Sequence, residues 1–218
     1  MRFTEPGYEL AREGVSTDQP FRHCVFGETS LLDAAAVQRL MATFPGENLG
    51  VESTRLAGGD KSYHVTNLPV YDRGRWQVAL TDFDPAWQQL LTYLVSAEYA
   101  ASMAAALDLG SGWFDVEVRI TSYSAGGWMS RHTDRPEKAF SHNVYLCPGW
   151  QPDWGGTLAL YADAETTEPA KVFVPGAGTS LAFARSDDSW HEVLAVSERA
   201  ERPRRAVLVH GYHRAGAG

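Results

Sequence analysis

Apolar residues recur along this chain with two different periods, and the change comes near its middle. In the first half the period is helical. Ser30 ahead of the apolar run Leu31–Phe44 predicts a capped helix that stops at Pro45-Gly46. Asp84-Pro85 is an N-cap followed by proline at the first helical position. Trp87, Leu90, Leu91 and Leu94 then recur on one helical face. Ser96 with Glu98 predicts a further helix over Ala97–Leu107, ending near Gly110. Between these signals, Gly46–Tyr71 is polar and glycine-rich and has no assignable period. The first third thus reads as loops and helices.

After Gly112 the period becomes two. Val116, Val118 and Ile120 alternate with Glu117, Arg119 and Thr121, which predicts a strand with one buried face. Short strands follow at Asn143–Leu146, Thr157–Tyr161, Lys171–Val174, Ser180–Phe183, Val193–Val196 and Arg205–Tyr212. Pro148-Gly149, Gly155-Gly156, Pro175-Gly176 and Gly178 separate them. Many short strands after a run of helices predict an α+β fold, an antiparallel sandwich or barrel with helices packed outside. The expected organisation is a single domain over 1–218: a helical support region at 1–112, a β core at 113–213, and a frayed tail at 214–218.

Composition narrows the class. A chain of 218 residues that is 44% hydrophobic suffices for one full core and is short for two. The net charge of -8 gives a nucleic-acid partner no general electrostatic help. No apolar run is long enough to span a membrane, and Met1–Pro6 lacks the apolar stretch of a signal peptide. The two cysteines, Cys24 and Cys147, have no metal-binding spacing and read as ordinary thiols. Together these features suggest a cytoplasmic protein with neither a nucleic-acid nor a membrane partner. They say nothing about oligomeric state.

The candidate chemistry is an H-x-D pair, His132 and Asp134, with a lone His191 far along the chain. Two imidazoles and one carboxylate form the ligand set of a facial-triad non-haem Fe(II) centre, which leaves open positions for a co-substrate and O₂. In a strand, residues two apart point the same way, so His132 and Asp134 can chelate one ion together while Thr133 faces away. An isolated H-x-D is common by chance, and the surrounding pattern decides its meaning. His23, His64, His142, His210 and His213 match no ligand spacing; His64 and His142 are candidates for lining a pocket, with surface or supporting roles the favoured expectation. The acidic stretch Glu165–Glu168 reads as a solvated loop.

That pattern runs through Tyr123-Ser124-Ala125-Gly126-Gly127, Arg131-His132-Thr133-Asp134, Asn143-Val144-Tyr145-Leu146, Trp150 and Trp154-Gly155-Gly156-Thr157-Leu158. It continues with Pro175, Leu181-Ala182-Phe183, His191-Glu192-Val193 and Arg204-Arg205-Ala206-Val207. In order and spacing over roughly 115–213, it resembles the prolyl-hydroxylase-like branch of the Fe(II)/2-oxoglutarate-dependent dioxygenase superfamily. The resemblance implies a double-stranded β-helix, a jelly-roll barrel with flanking N-terminal helices. It implies Fe(II) on His132, Asp134 and His191, 2-oxoglutarate and O₂ as co-substrates, and ascorbate as a stimulant. Arg204 is implied to hold the distal carboxylate of 2-oxoglutarate, with Ser197–Glu201 as an insertion before it. Arg205, its neighbour, would face the other way. The apolar pattern does not decide between Ala206/Leu208 and Val207/Val209 as the inner face. Tyr145 is the second implied anchor, with Asn143 and Tyr123 beside it in the pocket. Met129, Arg131, Arg135 and Trp190, with Trp128, flank the ligands as candidate substrate contacts.

The implied activity is hydroxylation, or another oxidation, of an unactivated C–H bond of a small metabolite, an amino acid or a natural-product intermediate, with release of succinate and CO₂. Asp134 argues against halogenation, because related halogenases replace this carboxylate with a small residue. The alternative substrate is a prolyl residue of a translation component. A more remote alternative is a jelly-roll binding module without chemistry, and a cupin-type metalloenzyme using no 2-oxoglutarate would leave Arg204 and Tyr145 unexplained. Gly46–Tyr71 and the loop Arg135–Ser141 are the segments expected to set specificity.

Overall fold

A computed structural model describes residues 14–28, 30–45, 51–55, 61–110 and 114–213. The predicted tail at 214–218, the predicted helix stop at Gly46 and the boundary around Gly112 lie outside them. The sheet comprises β1 (Val15–Thr17), β2 (His23–Phe26), β3 (Val51–Arg55), β4 (Tyr63–Asp72), β5 (Arg75–Trp76), β6 (Phe114–Tyr123), β7 (Trp128–His132), β8 (Lys138–Tyr145), β9 (Leu158–Leu160), β10 (Lys171–Phe173), β11 (Ser180–Ala184), β12 (His191–Val193) and β13 (Arg204–His213). The helices are α1 (Ala34–Ala42), α2 (Pro85–Leu94) and α3 (Ala97–Leu107).

All pairings are antiparallel, in the order β1-β2-β11-β8-β13-β6-β4-β7-β12-β9-β10, with β3 and β5 also on β4. The core strands β11-β8-β13-β6 form one layer and β7-β12-β9-β10 the other. This curled sheet with few helices is the jelly-roll double-stranded β-helix. Residues 14–110 are not purely helical support, since they also contribute β1–β5 to the sheet.

Among the described residues, two of the three α-helices begin as the pattern predicts. Asp84 accepts from Ala86 N–H at 3.0 Å and Ser96 from Tyr99 N–H at 3.1 Å, each quieting an amide that has no partner within the helix. Arg39 clamps the same Asp84 from α1, with Nη2 2.6 Å from Oδ2. The first helix starts later than predicted. Asp33, not Ser30, is its cap, accepting from Ala36 N–H at 2.6 Å. Leu31 and Leu32 precede the helix and are buried in the same core as Val37, as in a hydrophobic staple. No single helix among the described residues is long and apolar enough to cross a membrane.

The β11-β8-β13-β6 layer separates two cores. Its outer face carries Val116, Val118, Ile120, Phe140, Val144, Val207 and Val209, packed with Trp87, Leu90, Leu91 and Leu94 of α2 and with α3. Its inner face contributes Tyr123, Tyr145, Leu181, Phe183 and Ala206 to a second cluster, with Val65, Leu158, Leu160 and Val193. The alternation on β6 therefore separates two buried faces, not a buried face from a solvated one. Glu117, Thr121 and Tyr123 point inward and are themselves buried.

Gly211 stands opposite Phe140 in the β13–β8 ladder, and a Cβ there would lie 2.1 Å from Phe140 Cε1. Phe140 is fully buried and has no room to swing aside. Gly211→Ala is expected to destabilise the fold by about 1–3 kcal/mol in a denaturant melt; an unchanged midpoint would mean that this strand pair repacks freely.

Candidate metal centre

His132 is the last residue of β7, and His191, the first of β12, is its direct cross-strand partner. Their ring centroids are 4.3 Å apart. Asp134 lies beyond the end of β7, in the turn leading to β8, so the pair does not share one strand as the spacing suggests. The turn still returns its carboxylate to the imidazoles. One ligand atom from each of His132, Asp134 and His191 lies within 4.8 Å of the others. All three residues are buried.

Both rings are set by their backbones. Nδ1 of His132 meets Ser130 O at 2.8 Å, and Nδ1 of His191 meets Ser189 O at 2.9 Å. A carbonyl can only accept, so each Nδ1 carries the proton and each Nε2 presents its lone pair. Burial lowers the pKa of His191, and lowers that of His132 to about 2, aided there by His191 and Lys61. Both imidazoles are thus neutral, as a divalent cation requires. Lys61 Nζ lies 3.2 Å from His132 Nε2, a cation held at the lone pair that a metal would take. Burial opposes ionisation of Asp134, but its polar surroundings, with the Lys138 ammonium hydrogen-bonded to it, outweigh that and hold the carboxylate well below its usual range. Lys138 Nζ donates to Oδ1 and Ser141 Oγ to Oδ2, both at 2.6 Å.

A cavity of about 440 Å³ opens beside this cluster, lined from β4, β6, β7, β8, β12 and β13. Met129, Arg135, Asn143 and Tyr123 line it, as the sequence suggests. Arg131 and Trp190 do not line it, and Arg204 and Tyr145 lie behind its wall, not among its lining residues. The Arg131 guanidinium sits 3.5 Å from the Tyr161 ring centroid and donates to the carbonyls of Ala164 and Thr166, so it ties down the 162–170 loop. Trp128 packs edge-on against His64. His142 faces the helices, stacked on Tyr99, and burial lowers its pKa to about 3.

Arg204 and Arg205 part company at the start of β13. Arg205 turns outward, over Phe44. Arg204 turns inward with Leu208, His210 and Tyr212 and is 1% exposed. Its Cζ lies 5.1 Å from the ring centroids of both Tyr123 and Tyr145. Nε donates to Gly156 O at 2.6 Å. That approach helps explain Gly156, where a Cβ would crowd Arg204 Cδ, while a Cβ on Gly155 would instead meet Ala195 O at 2.2 Å. Among the described residues, Arg204 Nη2 and Tyr145 Oη have no hydrogen-bond partner. Burial pushes the Tyr145 hydroxyl up to about 12 against the pull of Arg204, so it remains a donor. A buried guanidinium edge beside a phenolic O–H is a fork for a carboxylate.

Sequence reasoning missed Lys61, Lys138, Ser141, His210, Glu117 and Arg119, all of which line the cavity. Glu117 accepts from Tyr212 Oη at 2.7 Å and pairs with Arg119. A signal for several of them was present: polar residues two apart on strands whose other face is apolar. It resembles a solvated face and here marks the barrel interior.

Residues 118–210 match the sequence profile of the 2OG-Fe(II) oxygenase superfamily. No curated protein matches the chain. Among solved structures, a Pseudomonas putida prolyl-4-hydroxylase is similar at 23% identity and a TM-score of 0.61, covering 88% of this chain and 93% of the other. A 2OG-Fe(II) oxygenase family oxidoreductase from Burkholderia pseudomallei is similar at 20% identity and a TM-score of 0.63, covering 99% and 94%. A Trichoplax adhaerens prolyl hydroxylase, in complex with a hypoxia inducible factor peptide fragment, is similar at 16% identity and a TM-score of 0.64, covering 88% and 83%.

The triad should bind divalent metal without any co-substrate. Co(II) at about a hundredfold its dissociation constant is expected to raise stability by about 2.7 kcal/mol, seen as a higher melting temperature. His191→Ala should abolish the rise; an equal rise in that variant would place the metal elsewhere.

Proposed function

We propose that this chain, whose residues 118–210 match the 2OG-Fe(II) oxygenase superfamily, is an enzyme using Fe(II), 2-oxoglutarate and O₂ that hydroxylates a C–H bond of a small, polar metabolite or amino acid. The observation that carries the reading is the pair Arg204 Nη2 and Tyr145 Oη, buried without partners in a barrel whose metal cluster is complete. A buried charged donor left unmet is unfavourable, and the distal carboxylate of 2-oxoglutarate would meet both donors.

In this reading His132, Asp134 and His191 hold Fe(II), which when bound supplies the oxidising chemistry that couples 2-oxoglutarate decarboxylation to C–H oxidation. The chain's own part is positional. Nδ1–H of each histidine is fixed on a carbonyl, so neither ring can rotate away from the metal. Arg204 and Tyr145 fix the far end of the co-substrate, with Tyr123 walling the guanidinium. Leu158, Phe183 and Val193 cover the inner cavity wall and keep water from the reacting centre. Met129, Arg135 and Asn143 are the lining residues positioned to meet the substrate.

The cavity favours a small anionic substrate. Its lining side chains include the cations Lys61, Arg119, Arg135 and Lys138 against the anions Glu117 and Asp134, in a chain whose net charge is -8. A divalent metal and a dianionic co-substrate cancel each other, and although Arg135 also pairs with Glu137, the lining cations still outnumber the lining anions. The second reading, a prolyl residue in a protein, draws on the fold shared with prolyl hydroxylases.

Two measurements test the proposal. Anaerobic addition of Fe(II) and 2-oxoglutarate should produce a weak visible charge-transfer band, absent in His132→Ala. Arg204→Met should raise the apparent 2-oxoglutarate KM by at least about tenfold, the loss of a charge-assisted hydrogen-bond pair, while Arg205→Ala leaves it unchanged. A reversal between the two arginines would sink the assignment of the anchor. Succinate release screened over free amino acids, carboxylate metabolites and proline peptides separates the two substrate readings.

A further inference from the structure

Four buried side chains behind the metal cluster form a closed hydrogen-bonded ring. Lys138 Nζ donates to Asp134 Oδ1 at 2.6 Å and lies 3.1 Å from His210 Nε2. Ser141 Oγ donates to Asp134 Oδ2 at 2.6 Å and lies 2.7 Å from His210 Nδ1. Ser141 and His210 are direct cross-strand partners on β8 and β13, and Lys138 opens β8 four residues after Asp134. All four are buried.

Proton counting gives the ring one direction. A serine hydroxyl has a single proton, which Asp134 takes, so His210 Nδ1–H must donate to Ser141 Oγ. An ammonium has only donors, so His210 Nε2 must accept from Lys138. His210 is therefore the neutral Nδ1–H tautomer, and both oxygens of Asp134 already accept a strong hydrogen bond.

We propose that Lys138, held by His210 and Ser141, is a positioning residue that confines Asp134 to ligating the metal through one oxygen. A free carboxylate can swing to chelate a divalent ion through both oxygens. Here that rotation would break the Lys138 and Ser141 bonds together and leave an ammonium unpaired in the interior. One-oxygen ligation keeps an additional coordination position available, which a triad site needs for its co-substrate and O₂. The ammonium also sets a positive charge close to the metal, so the ring gives up metal affinity in exchange for geometry.

This inference rests on the metal reading of the triad, and its test separates the two. Co(II) is titrated into the whole protein without 2-oxoglutarate, and its visible d–d spectrum and dissociation constant are recorded. Binding by the wild type, lost in His132→Ala, tests the triad itself. Lys138→Met is then expected to bind Co(II) roughly tenfold more tightly, because a like charge hydrogen-bonded to a metal ligand is removed. Its d–d band should weaken as the second carboxylate oxygen joins the coordination. A merely structural role predicts the opposite, a looser site with the same band shape, and that result would overturn the proposal. Ser141→Ala frees one oxygen without changing the charge. It should shift the band with less than about threefold change in affinity, and it carries the test if Lys138→Met fails to fold. Wild-type spectra in both variants would also overturn it.

Discussion

An ionised side chain inside a protein needs a partner, because losing water costs several kcal/mol that only close, well-aligned contacts restore. The interior of this barrel contains three such problems. Asp134 is answered by Lys138 and Ser141, and Glu117 by Arg119 and Tyr212. Arg204 is answered only in part, by one carbonyl and two aromatic faces. Two circuits close within the chain and one stays open. The open one is the Nη2 edge of Arg204, the donor on which the proposed co-substrate anchor rests.

The strand that makes this arrangement possible is β13, which pairs along its length with β6 on one side and β8 on the other. Its inner face carries Arg204, Leu208, His210 and Tyr212 in sequence, so one strand supplies the proposed carboxylate anchor, a cavity wall, the ring behind Asp134 and the partner of Glu117. Gly211 lets Phe140 approach closely on the opposite face. Every second residue therefore serves the site while the alternate ones, Val207 and Val209, hold the helices.

Much of this could be read from the residues in order. Asp84 and Ser96 announced their helices because a cap acts on amides two or three positions away. The triad was legible because its ligand types are rare in combination; which of Arg204 and Arg205 faces inward was not, because the apolar pattern of the last strand fits either face. The strands of the first third were not legible. β4 contains Asn67 and Pro69 and reads as loop; a break in its register with β6 near Pro69 accommodates the missing amide. Ser30 looked like a cap, but Asp33 had the better geometry. The ring around Asp134 was hidden for a different reason. Its members come from a turn, β8 and β13, and only the pairing of His210 with Ser141 makes them neighbours.

The layer between the two cores divides the molecule into compartments with different duties. Trp87, Leu90 and Leu94 never meet the cavity, and Met129, Arg135 and Asn143 are absent from the helix-side cluster. Changes in one compartment are thereby largely invisible to the other. A lineage carrying this fold can alter the cavity wall, and with it the molecule it oxidises, while the helices keep the chain folded. Diversification of substrate and maintenance of stability can proceed as separate evolutionary walks.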